Sequence, residues 1–405
     1  MTIHIELQHL LALGAGILIL VRPKLLNYIV AGYLIVLGVA GILNLLAAAR
    51  PLGIPWVASS ADGYPQESVV ALPRIAINGF GRIGRTITRI AKLRRHYDII
   101  AVNDLADPDD LAYAFKYDSI HGTYEGTVEL DGDTMVIDGD PFKVLSEPDP
   151  RKLPWRELGA DYVVESSGRF RKLDELQWHL DAGARRVLLT VPTKEPLEAT
   201  LVMGVNDHVV TKDSRIISNA SCTTNCAAPL AKVLHDAFGI ERGLLTTVHA
   251  YTSDQRLIDA PHKDKRRSRS AAANIVPTST GAARAIGVVM PALAGRLDGL
   301  AIRVPVQDGS LCDLTVELSR EVDVETVNAA MRAAADGPMQ GILYYCTDPI
   351  VSSDVIGNSH SCIFDAALTQ VIGGRMVKVI GWYDNEWGYS TRMEELIARV
   401  ARLDA

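Results

Sequence analysis

A cysteine set among small polar residues is the first group in this chain that could do covalent chemistry. Cys222 follows the polar segment 218–221 and precedes a run that predicts a helix. The free N–H groups and the positive dipole end of a helix N-terminus favour the thiolate, which is the reactive form of cysteine. A free cysteine is more often a buried structural residue, but polar neighbours argue against an apolar core position here. The pattern predicts a nucleophilic thiol.

A nucleophilic thiol needs a base, and His249 is the best candidate in the sequence. It stands where the apolar, strand-like segment Leu-Leu-Thr-Thr-Val-His-Ala-Tyr-Thr gives way to polar residues. Histidine is the side chain most often used to move a proton near neutral pH. We therefore expect a cysteine–histidine pair to carry the chemistry.

A glycine-rich segment between a strand and a helix indicates a dinucleotide site. The apolar run 74–78 is followed at once by Gly-Phe-Gly-Arg-Ile-Gly, and residues 85–93 have a helical pattern. The glycines of such a fingerprint allow a tight turn, the approach of a pyrophosphate, and the packing of helix on strand. The pyrophosphate then lies at the helix N-terminus. The predicted cofactor contacts of this loop are Gly79, Phe80, Gly81, Arg82, Ile83 and Gly84.

The next predicted strand, 99–103, is followed by an acidic residue, Asp104. An acid at this place accepts hydrogen bonds from the ribose hydroxyls of NAD and repels the 2′-phosphate of NADP. An ordinary turn aspartate is the alternative reading. The apolar neighbour Leu105 offers no donor to a 2′-phosphate. NAD is therefore the expected cofactor.

The segments Ser-Asn-Ala-Ser-Cys-Thr-Thr-Asn-Cys and His-Ala-Tyr-Thr resemble the phosphorylating glyceraldehyde-3-phosphate dehydrogenase family. The resemblance extends from about Pro73 to the C-terminus and does not cover the first 72 residues. It implies an α/β Rossmann-type dinucleotide-binding domain at 73–221, completed by a C-terminal helix at 386–405. It also implies a mixed α+β catalytic domain at 222–385 and a homotetramer.

The same resemblance implies further site residues. Additional cofactor contacts are Ser167, Gly168, Phe170, Thr190, Asn385 and Tyr389, of which Asn385 would hold the nicotinamide carboxamide. The substrate phosphate is assigned to Thr252, Asp254 and Arg303. The attacking phosphate is assigned to Ser221, Thr223, Arg267, Thr280 and Gly281. Hydroxyl and guanidinium groups are suitable phosphate donors. One departure is Pro148, which stands where the family usually has a basic residue.

The implied reaction oxidises glyceraldehyde 3-phosphate with NAD and inorganic phosphate to 1,3-bisphosphoglycerate, through a thioester on Cys222. Two alternatives remain open: an erythrose-4-phosphate dehydrogenase, and a non-catalytic membrane-anchored scaffold that kept the fold. The intact His-Ala-Tyr-Thr and Pro-Thr-Ser-Thr-Gly segments favour the phosphorylating enzyme. The presence of both Cys222 and His249 argues against the scaffold.

Residues 1–50 differ in composition from all that follows. Two apolar runs, 5–21 and 25–49, are separated by Arg-Pro-Lys at 22–24. The second run is long enough to span a bilayer, which takes about 20 residues, and the proline favours a reversal. The segment predicts a transmembrane helical hairpin that anchors the protein in the lipid bilayer, with 51–72 as a flexible linker.

Other readings of the N-terminal segment are weaker. A signal peptide lacks support because no Lys or Arg precedes the first apolar run, and a soluble helix pair is a further alternative. We expect a membrane-anchored protein with its catalytic domain in the cytoplasm, although Arg22 and Lys24 then lie outside, against the positive-inside tendency.

Length, charge and cysteine usage limit the remaining classes. A chain of 405 residues is long enough for two or three domains. It has 41 basic against 48 acidic residues, a net charge of −7, so nucleic-acid binding is not expected. The five cysteines show no zinc-like spacing with histidines, so no metal site is expected. An odd count around a reactive thiol fits a reducing compartment.

Overall fold

The computed structural model describes residues 72–405, so the predicted hairpin and most of the linker lie outside the described residues. Within 72–405, no helix combines the length and the apolar character that a membrane span needs. Two sheets with flanking helices organise this part of the chain.

The first sheet has nine strands in the described chain. They are β1 (Arg74–Asn78), β2 (Asp98–Asn103), β3 (Val128–Asp131), β4 (Thr134–Ile137), β5 (Asp140–Leu145), β6 (Tyr162–Glu165), β7 (Arg186–Leu189), β8 (Ala199–Thr200) and β9 (Ile216–Ser218). Their order is β3-β4-β5-β2-β1-β6-β7-β9-β8. The seven strands from β5 to β8 in this order all pair in parallel. Its helices are α1 (Arg82–Arg94), α2 (Pro108–Lys116), α3 (Trp155–Leu158) and α4 (Leu173–Asp181).

The turn from β1 into α1 explains why glycines are required. Gly79 has φ +98°, and a Cβ there would lie 2.4 Å from the backbone nitrogen of Ser167. A Cβ on Gly84 would lie 2.3 Å from the carbonyl oxygen of Gly79. Glycine alone fits such a left-handed turn and such close packing. The predicted Rossmann-type fold is confirmed.

The second sheet is mixed, as the predicted α+β domain requires. Its strands are β10 (Ile240–Ala250), β11 (Val276–Ser279), β12 (Leu297–Val304), β13 (Ser310–Leu318), β14 (Leu343–Cys346), β15 (Cys362–Asp365), β16 (Gln370–Ile372) and β17 (Met376–Tyr383). The order is β11-β12-β10-β13-β17-β15-β14, and β16 pairs with β17. β10 runs parallel to β12 and antiparallel to β13.

Three helices accompany the second sheet: α5 (Cys222–Phe238), α6 (Ala282–Val289) and α7 (Val324–Asp336). A last helix, α8 (Trp387–Asp404), follows the sheet at the end of the chain. Buried Leu230 and Leu234 of α5 share one apolar core with Leu314 of β13. The last helix begins after Glu386 and places Leu396 and Val400 in the core of the first sheet. Single 3₁₀ turns lie at Pro150–Lys152, Asp207–Val209, Ala271–Ala273, Pro291–Leu293, Ser352–Val355 and Ala366–Leu368.

Candidate active site

Cys222 is the first residue of α5, and a tight turn fixes its position. Ala220, just before the helix, has φ +52°, an uncommon conformation for a residue with a side chain. The hydroxyl of Ser221 accepts the N–H of Thr224 at 3.1 Å and so caps the helix. The Asn225 amide donates to the carbonyl of Ser221 at 3.0 Å. The thiol therefore projects from a helix N-terminus that is fixed by hydrogen bonds.

His249 lies near the end of β10 and faces that thiol. Its Nε2 is 3.5 Å from Cys222 Sγ, a hydrogen-bond distance for sulfur. The neighbouring strand β12 places Arg303 directly opposite His249 in the register. The fold thus brings the predicted nucleophile and base together, and it adds a cation behind the base.

The other ring nitrogen of His249 has two competing partners. Nδ1 lies 2.7 Å from the carbonyl oxygen of Ala250 and 2.7 Å from Nη1 of Arg303. It can donate to the carbonyl or accept from the guanidinium, but it cannot do both. Only donation to Ala250 leaves the lone pair of Nε2 facing Cys222, as a general base requires.

The pair is enclosed, and enclosure sets its protonation. Burial raises the pKa of the Cys222 thiol to about 11, against the opposing pull of the Arg303 charge and the Thr223 N–H. Burial, helped by the Arg303 charge, lowers the pKa of His249 to about 3. Desolvation thus opposes the effect of the helix terminus, which favours the thiolate. Both pKa shifts favour the neutral forms, a thiol beside an unprotonated imidazole.

A cavity of about 300 Å³ opens onto this pair. Ten predicted site residues line it: Arg82, Ile83, Thr190, Ser221, Cys222, His249, Thr252, Asp254, Asn385 and Tyr389. Sequence reasoning missed Val191, Pro192, Ser253 and Glu386, which also line it. The cavity therefore joins the start of α1 in the first sheet's domain to the thiol and imidazole of the second.

The nicotinamide candidates are held by specific contacts in this cavity. Asn385 Oδ1 accepts the hydroxyl of Ser310 at 2.6 Å, which leaves its amide group to face a ligand. Tyr389 is buried, and its hydroxyl reaches the carbonyl of Ala220 at 3.5 Å. Ser310 was not among the predicted residues, because only the fold shows that β13 starts beside Asn385.

Several predicted contacts do not line this cavity. The Thr223 hydroxyl lies 2.9 Å from the Tyr383 hydroxyl and is buried. The Phe80 ring is fully buried and stacks on Phe115, with ring centroids 6.1 Å apart. Gly84 lies so close to the Gly79 carbonyl that its role is to let α1 pack against the turn after β1. Gly168 has φ +68° and lies in an exposed turn.

The two predicted sets of phosphate-binding residues are in contact with each other in the structure. Arg267, assigned to one, forms an ion pair with Asp254, assigned to the other. Arg267 also donates to Thr278 Oγ1 at 3.0 Å. Thr280 Oγ1 accepts the N–H of Ala282 at 3.2 Å at the start of α6, and Gly281 is the N-cap residue of that helix. Arg303, in turn, is committed to His249 and Ala250.

A second cavity of about 260 Å³ lies at the carboxyl ends of the first sheet's central strands. The predicted cofactor contacts lining it are Gly79, Gly81, Asp104, Ser167 and Phe170, and Leu105 and the departure Pro148 line it too. Asp104 is held in place because its carboxylate accepts the N–H groups of Phe80 at 2.8 Å and Ala106 at 3.2 Å.

The second cavity suits a dinucleotide. The N-cap residue of α1 is Gly81, and no side chain among residues 72–405 caps this helix, so its first N–H groups remain available to a pyrophosphate. A Cβ added to Gly81 would meet nothing within 4 Å, which leaves open space beside the helix start. The fixed carboxylate of Asp104 provides an acceptor for ribose hydroxyls. These features fit NAD.

A hydrogen-bonded network under the second cavity was not foreseen. Asn103 donates to Asn78 Oδ1 at 2.7 Å and accepts the N–H of Glu147 at 2.8 Å. Asn78 donates to fully buried Glu165 at 2.5 Å, and Glu165 accepts the N–H of Ser167 at 2.9 Å. The network ties the strand ends together. The sequence signal for this network was the polar residue at the end of each of these strands.

Fold and site define a class: an NAD-dependent dehydrogenase with a cysteine nucleophile and a histidine base. Two family profiles match the chain, described as "Glyceraldehyde 3-phosphate dehydrogenase, NAD binding domain" at 73–173 and "Glyceraldehyde 3-phosphate dehydrogenase, C-terminal domain" at 221–385. A third, described only as a protein of unknown function, matches 9–45.

Curated relatives agree with these matches. Glyceraldehyde-3-phosphate dehydrogenase of Borreliella burgdorferi is 52% identical over 336 residues, 81% of this chain and all of the relative. That of Geobacillus stearothermophilus is 52% identical over 81% of this chain and 98% of the relative. Glyceraldehyde-3-phosphate dehydrogenase 2 of Saccharomyces cerevisiae is 50% identical over 81% and 99%. The chain belongs to the glyceraldehyde-3-phosphate dehydrogenase family, and its cofactor is NAD.

Proposed function

We propose that this protein oxidises glyceraldehyde 3-phosphate with NAD and inorganic phosphate to 1,3-bisphosphoglycerate. The observation that carries the proposal is the 3.5 Å approach of Cys222 Sγ to His249 Nε2 in a cavity that also contains Asn385. The relatives named above support the choice of substrate. Cys222 has the geometry of a nucleophile with an adjacent base.

The first half of the reaction uses the Cys222–His249 pair. His249 Nε2 accepts the thiol proton as sulfur bonds to the aldehyde carbon and returns it to the oxygen, which becomes the hydroxyl of a hemithioacetal. His249 then acts as base for that hydroxyl proton while the carbon loses hydride, which leaves a thioester on Cys222. Bound NAD supplies the hydride acceptor. Asn385 would fix which face of the nicotinamide meets the substrate.

The second half releases the acyl group. An oxygen of inorganic phosphate bonds to the thioester carbon, the carbon–sulfur bond breaks, and the sulfur leaves as thiolate. Protonated His249 is placed to return a proton to that sulfur. The Cys222 N–H at the start of α5 would stabilise the oxyanion of each tetrahedral intermediate.

Arg303 links anion binding to the state of the base. A phosphate group attracts a guanidinium strongly, by charge-assisted hydrogen bonds. If the substrate phosphate engages Arg303, the guanidinium leaves Nδ1 of His249, which is then free to donate to the Ala250 carbonyl. That arrangement turns the lone pair of Nε2 toward Cys222. Substrate binding would thus set the tautomer that catalysis needs.

Arg267 and Asp254 are proposed to belong to the same anion-binding region. Their ion pair leaves the Arg267 guanidinium with further donors, which contact Thr278 and the Ser279 carbonyl. An incoming phosphate would compete with Asp254 for this guanidinium. The hydroxyls of Ser221 and Thr252 line the cavity and would complete the set.

The assay that tests the proposal is NADH formation by the purified full-length chain. We expect it to require both glyceraldehyde 3-phosphate and inorganic phosphate. Faster turnover with erythrose 4-phosphate, without dependence on phosphate, would favour the alternative dehydrogenase. Absence of any turnover with either aldehyde, in protein that still binds NAD, would favour the scaffold.

The N-terminal segment is proposed to anchor the enzyme in a lipid bilayer as a helical hairpin, with the catalytic domain in the cytoplasm. The support is its two long apolar runs around Arg-Pro-Lys. The full-length chain should stay with membranes through carbonate extraction, which removes surface-bound proteins. Protease added outside intact cells should leave the domain uncut. Its digestion there would overturn the orientation.

A homotetramer is proposed from the resemblance to the family. Apolar Leu257 and Ile258 are 71% and 76% exposed, and they lie shortly before the basic segment 263–269, which the resemblance brings to a neighbouring subunit. Burying such residues against another copy would lower the free energy of the assembly. Light scattering of detergent-solubilised protein should give four copies per particle. A monomer that is fully active would contradict the proposal.

A further inference from the structure

A histidine and two acids from distant segments of the chain form a cluster beside the first cavity. One ligand atom from each of His121, Asp308 and Glu386 lies within 4.8 Å of the other two. His121 follows α2, and Asp308 lies on the turn between β12 and β13. Glu386 immediately precedes α8 and lines the cavity. We call these three residues the His–Asp–Glu cluster.

Two of these side chains are buried without a hydrogen-bond partner at the atom that faces the cluster. His121 Nε2 and Asp308 Oδ2 form no hydrogen bond with any residue of 72–405. Their side chains are 3% and 0% exposed. Nε2 lies 3.3 Å from Glu386 Oε2 and 3.9 Å from Asp308 Oδ2, so these atoms face one small space. Because buried polar atoms nearly always have partners, a ligand in that space would supply the missing contacts.

The spacing of the cluster suits a small metal ion. Zinc binds imidazole nitrogen and carboxylate oxygen at about 2.0–2.2 Å, and two ligands of a tetrahedral ion are then about 3.4 Å apart. The 3.3 Å between His121 Nε2 and Glu386 Oε2 matches that separation. The 3.9 Å between Nε2 and Asp308 Oδ2 is longer by about half an ångström, a small side-chain adjustment.

Contacts outside the cluster hold two of the ligand side chains in place. Asp308 Oδ1 accepts the N–H of Gly309 at 2.8 Å, which leaves Oδ2 for an ion. The His121 ring packs against the ring of Trp387, with the two centroids 5.3 Å apart. Metal ligands in proteins are usually oriented by second contacts of this kind. The side chains are therefore arranged before any ion binds.

The cluster and its surroundings carry more negative than positive charge. Arg82 Nε donates to Glu386 Oε1 at 3.0 Å, and Arg82 Nη1 donates to Asp118 at 2.6 Å, so one guanidinium is shared between two carboxylates. Among residues 72–405, no lysine or arginine forms an ion pair with Asp308. Buried charges in proteins are either paired or bound to metals. Arg82 can keep Glu386 Oε1 while Oε2 binds a cation.

We propose that His121, Asp308 and Glu386 bind a divalent cation such as Zn²⁺, through His121 Nε2 and one oxygen of each carboxylate. A ligand set of one imidazole and two carboxylates suits zinc and related transition metals, whereas magnesium and calcium prefer oxygen ligands alone. Water would complete the coordination. The ion would join the domain of the first sheet to the turn of the second sheet and the start of α8. This site does not depend on the proposed dehydrogenase activity.

The earlier expectation of no metal site rested on the spacing of cysteines and histidines. Ligands from three distant segments leave no such spacing in the sequence, so only the fold brings them together.

The test titrates Zn²⁺ into full-length Cys222→Ser protein by calorimetry. Zinc also binds cysteine sulfur and histidine nitrogen, so this variant removes the competing site in the first cavity. We expect one Zn²⁺ per chain. The absence of saturable zinc binding would overturn the proposal, and a buried water would then be the partner of the unpaired atoms.

Variants of the ligands locate the ion. In the same background, His121→Asn and Asp308→Asn should each weaken zinc binding by at least about 100-fold, because each removes one of three ligands. The matched control is Asp298→Asn, since exposed Asp298 also accepts the N–H of the following glycine at 2.8 Å. Exposed His208→Asn is the histidine control. Both controls should change the affinity less than about twofold. Equal zinc affinities for Asp308→Asn and Asp298→Asn would overturn the proposal.

The absorption spectrum of bound Co²⁺ gives an answer even if a ligand variant does not fold. In full-length Cys222→Ser protein, nitrogen and oxygen ligands should give visible cobalt bands without thiolate-to-metal charge transfer. The buried thiols of Cys226, Cys312 and Cys362 would add such charge transfer. Its appearance would assign the ion to cysteine and overturn the proposal. Because neither aldehyde nor NAD is present, a failed dehydrogenase assay would reject the proposed function separately.

Discussion

The adenosine end of the cleft is built mainly from backbone, whereas the catalytic end is built from buried side chains that titrate. Gly79, the uncapped start of α1 and the fixed carboxylate of Asp104 define the first. Cys222, His249 and Arg303 define the second, and the Arg303 charge lowers the pKa of both Cys222 and His249. The first end should therefore bind its ligand steadily across pH. The second should respond strongly to pH and to single charges.

The largest expected effect concerns the nucleophile. Cys222→Ser should lose essentially all dehydrogenase activity, because a hydroxyl is far less nucleophilic than a thiol near neutral pH. Its affinity for NAD should stay unchanged, since the adenosine end is separate. The control is Cys226→Ser: that thiol is buried and contacts the carbonyl of Gly381 at 3.4 Å. Similar activities for the two variants would refute the assignment.

Loss of the base should come next. His249→Asn should lower kcat by about 100-fold, the usual scale for a general base. Burial lowers the pKa of His249 and raises that of Cys222, and both shifts favour a neutral pair. Alkylation of Cys222 should then rise with pH up to about pH 11 in both proteins. A plateau at neutral pH in the wild type, absent from the variant, would instead reveal a thiolate–imidazolium pair.

Removing the charge behind the base should have a smaller effect. Arg303→Met should lower kcat/KM for the aldehyde by about 30-fold, as for one charge-assisted hydrogen bond. Since the Arg303 charge lowers the pKa of Cys222, alkylation at a given pH should also slow. Arg242→Met, which breaks an exposed pair with Glu317, is the matched control. An unchanged alkylation rate would show that Arg303 does not act on the thiol.

At the adenosine end, we expect a preference for NAD over NADP of about tenfold. Asp104 repels a 2′-phosphate, so kcat/KM should favour NAD over NADP by at least about ten, the size of one charged contact. Asp104→Asn should reduce that ratio and leave the pH dependence of kcat unchanged. If the wild type used both cofactors equally, Arg169, which lines the same cavity, would be the cation to examine.

The last expected effect is on stability. The raised pKa of Asp308, about 9 in the folded protein, means that the folded state binds more protons than the unfolded state between about pH 4 and 9. The free energy of unfolding therefore falls as pH rises, by at most about 1.4 kcal/mol per pH unit. Asp308→Asn should flatten this part of the Tm–pH curve. Asp140→Asn, at an exposed position, should not.

What the sequence could predict follows the same division. The adenosine end depends on a local pattern, so the strand–glycine–helix order was enough to place Gly79 and Gly81 in the second cavity. The start of α5 at Cys222 was also local.

Contacts between distant segments could not be predicted. Arg267 and Asp254 were assigned to different phosphate sites. The sequence does not show that the loop between them folds back so that the two side chains form an ion pair. Thr223 looked available, yet the last strand brings Tyr383 to its hydroxyl. The desolvation of Cys222 could not be predicted either, because burial is a property of the whole fold.

The central claim is that Cys222 carries the oxidised substrate as a thioester. The most direct measurement mixes the full-length protein with glyceraldehyde 3-phosphate and NAD without phosphate, quenches in acid, and determines the mass of the peptide containing Cys222. We predict a 3-phosphoglyceroyl adduct on that peptide, lost when inorganic phosphate is added before the quench and absent from Cys222→Ser. NADH formation without any adduct on Cys222, or an adduct on another residue, would contradict the account.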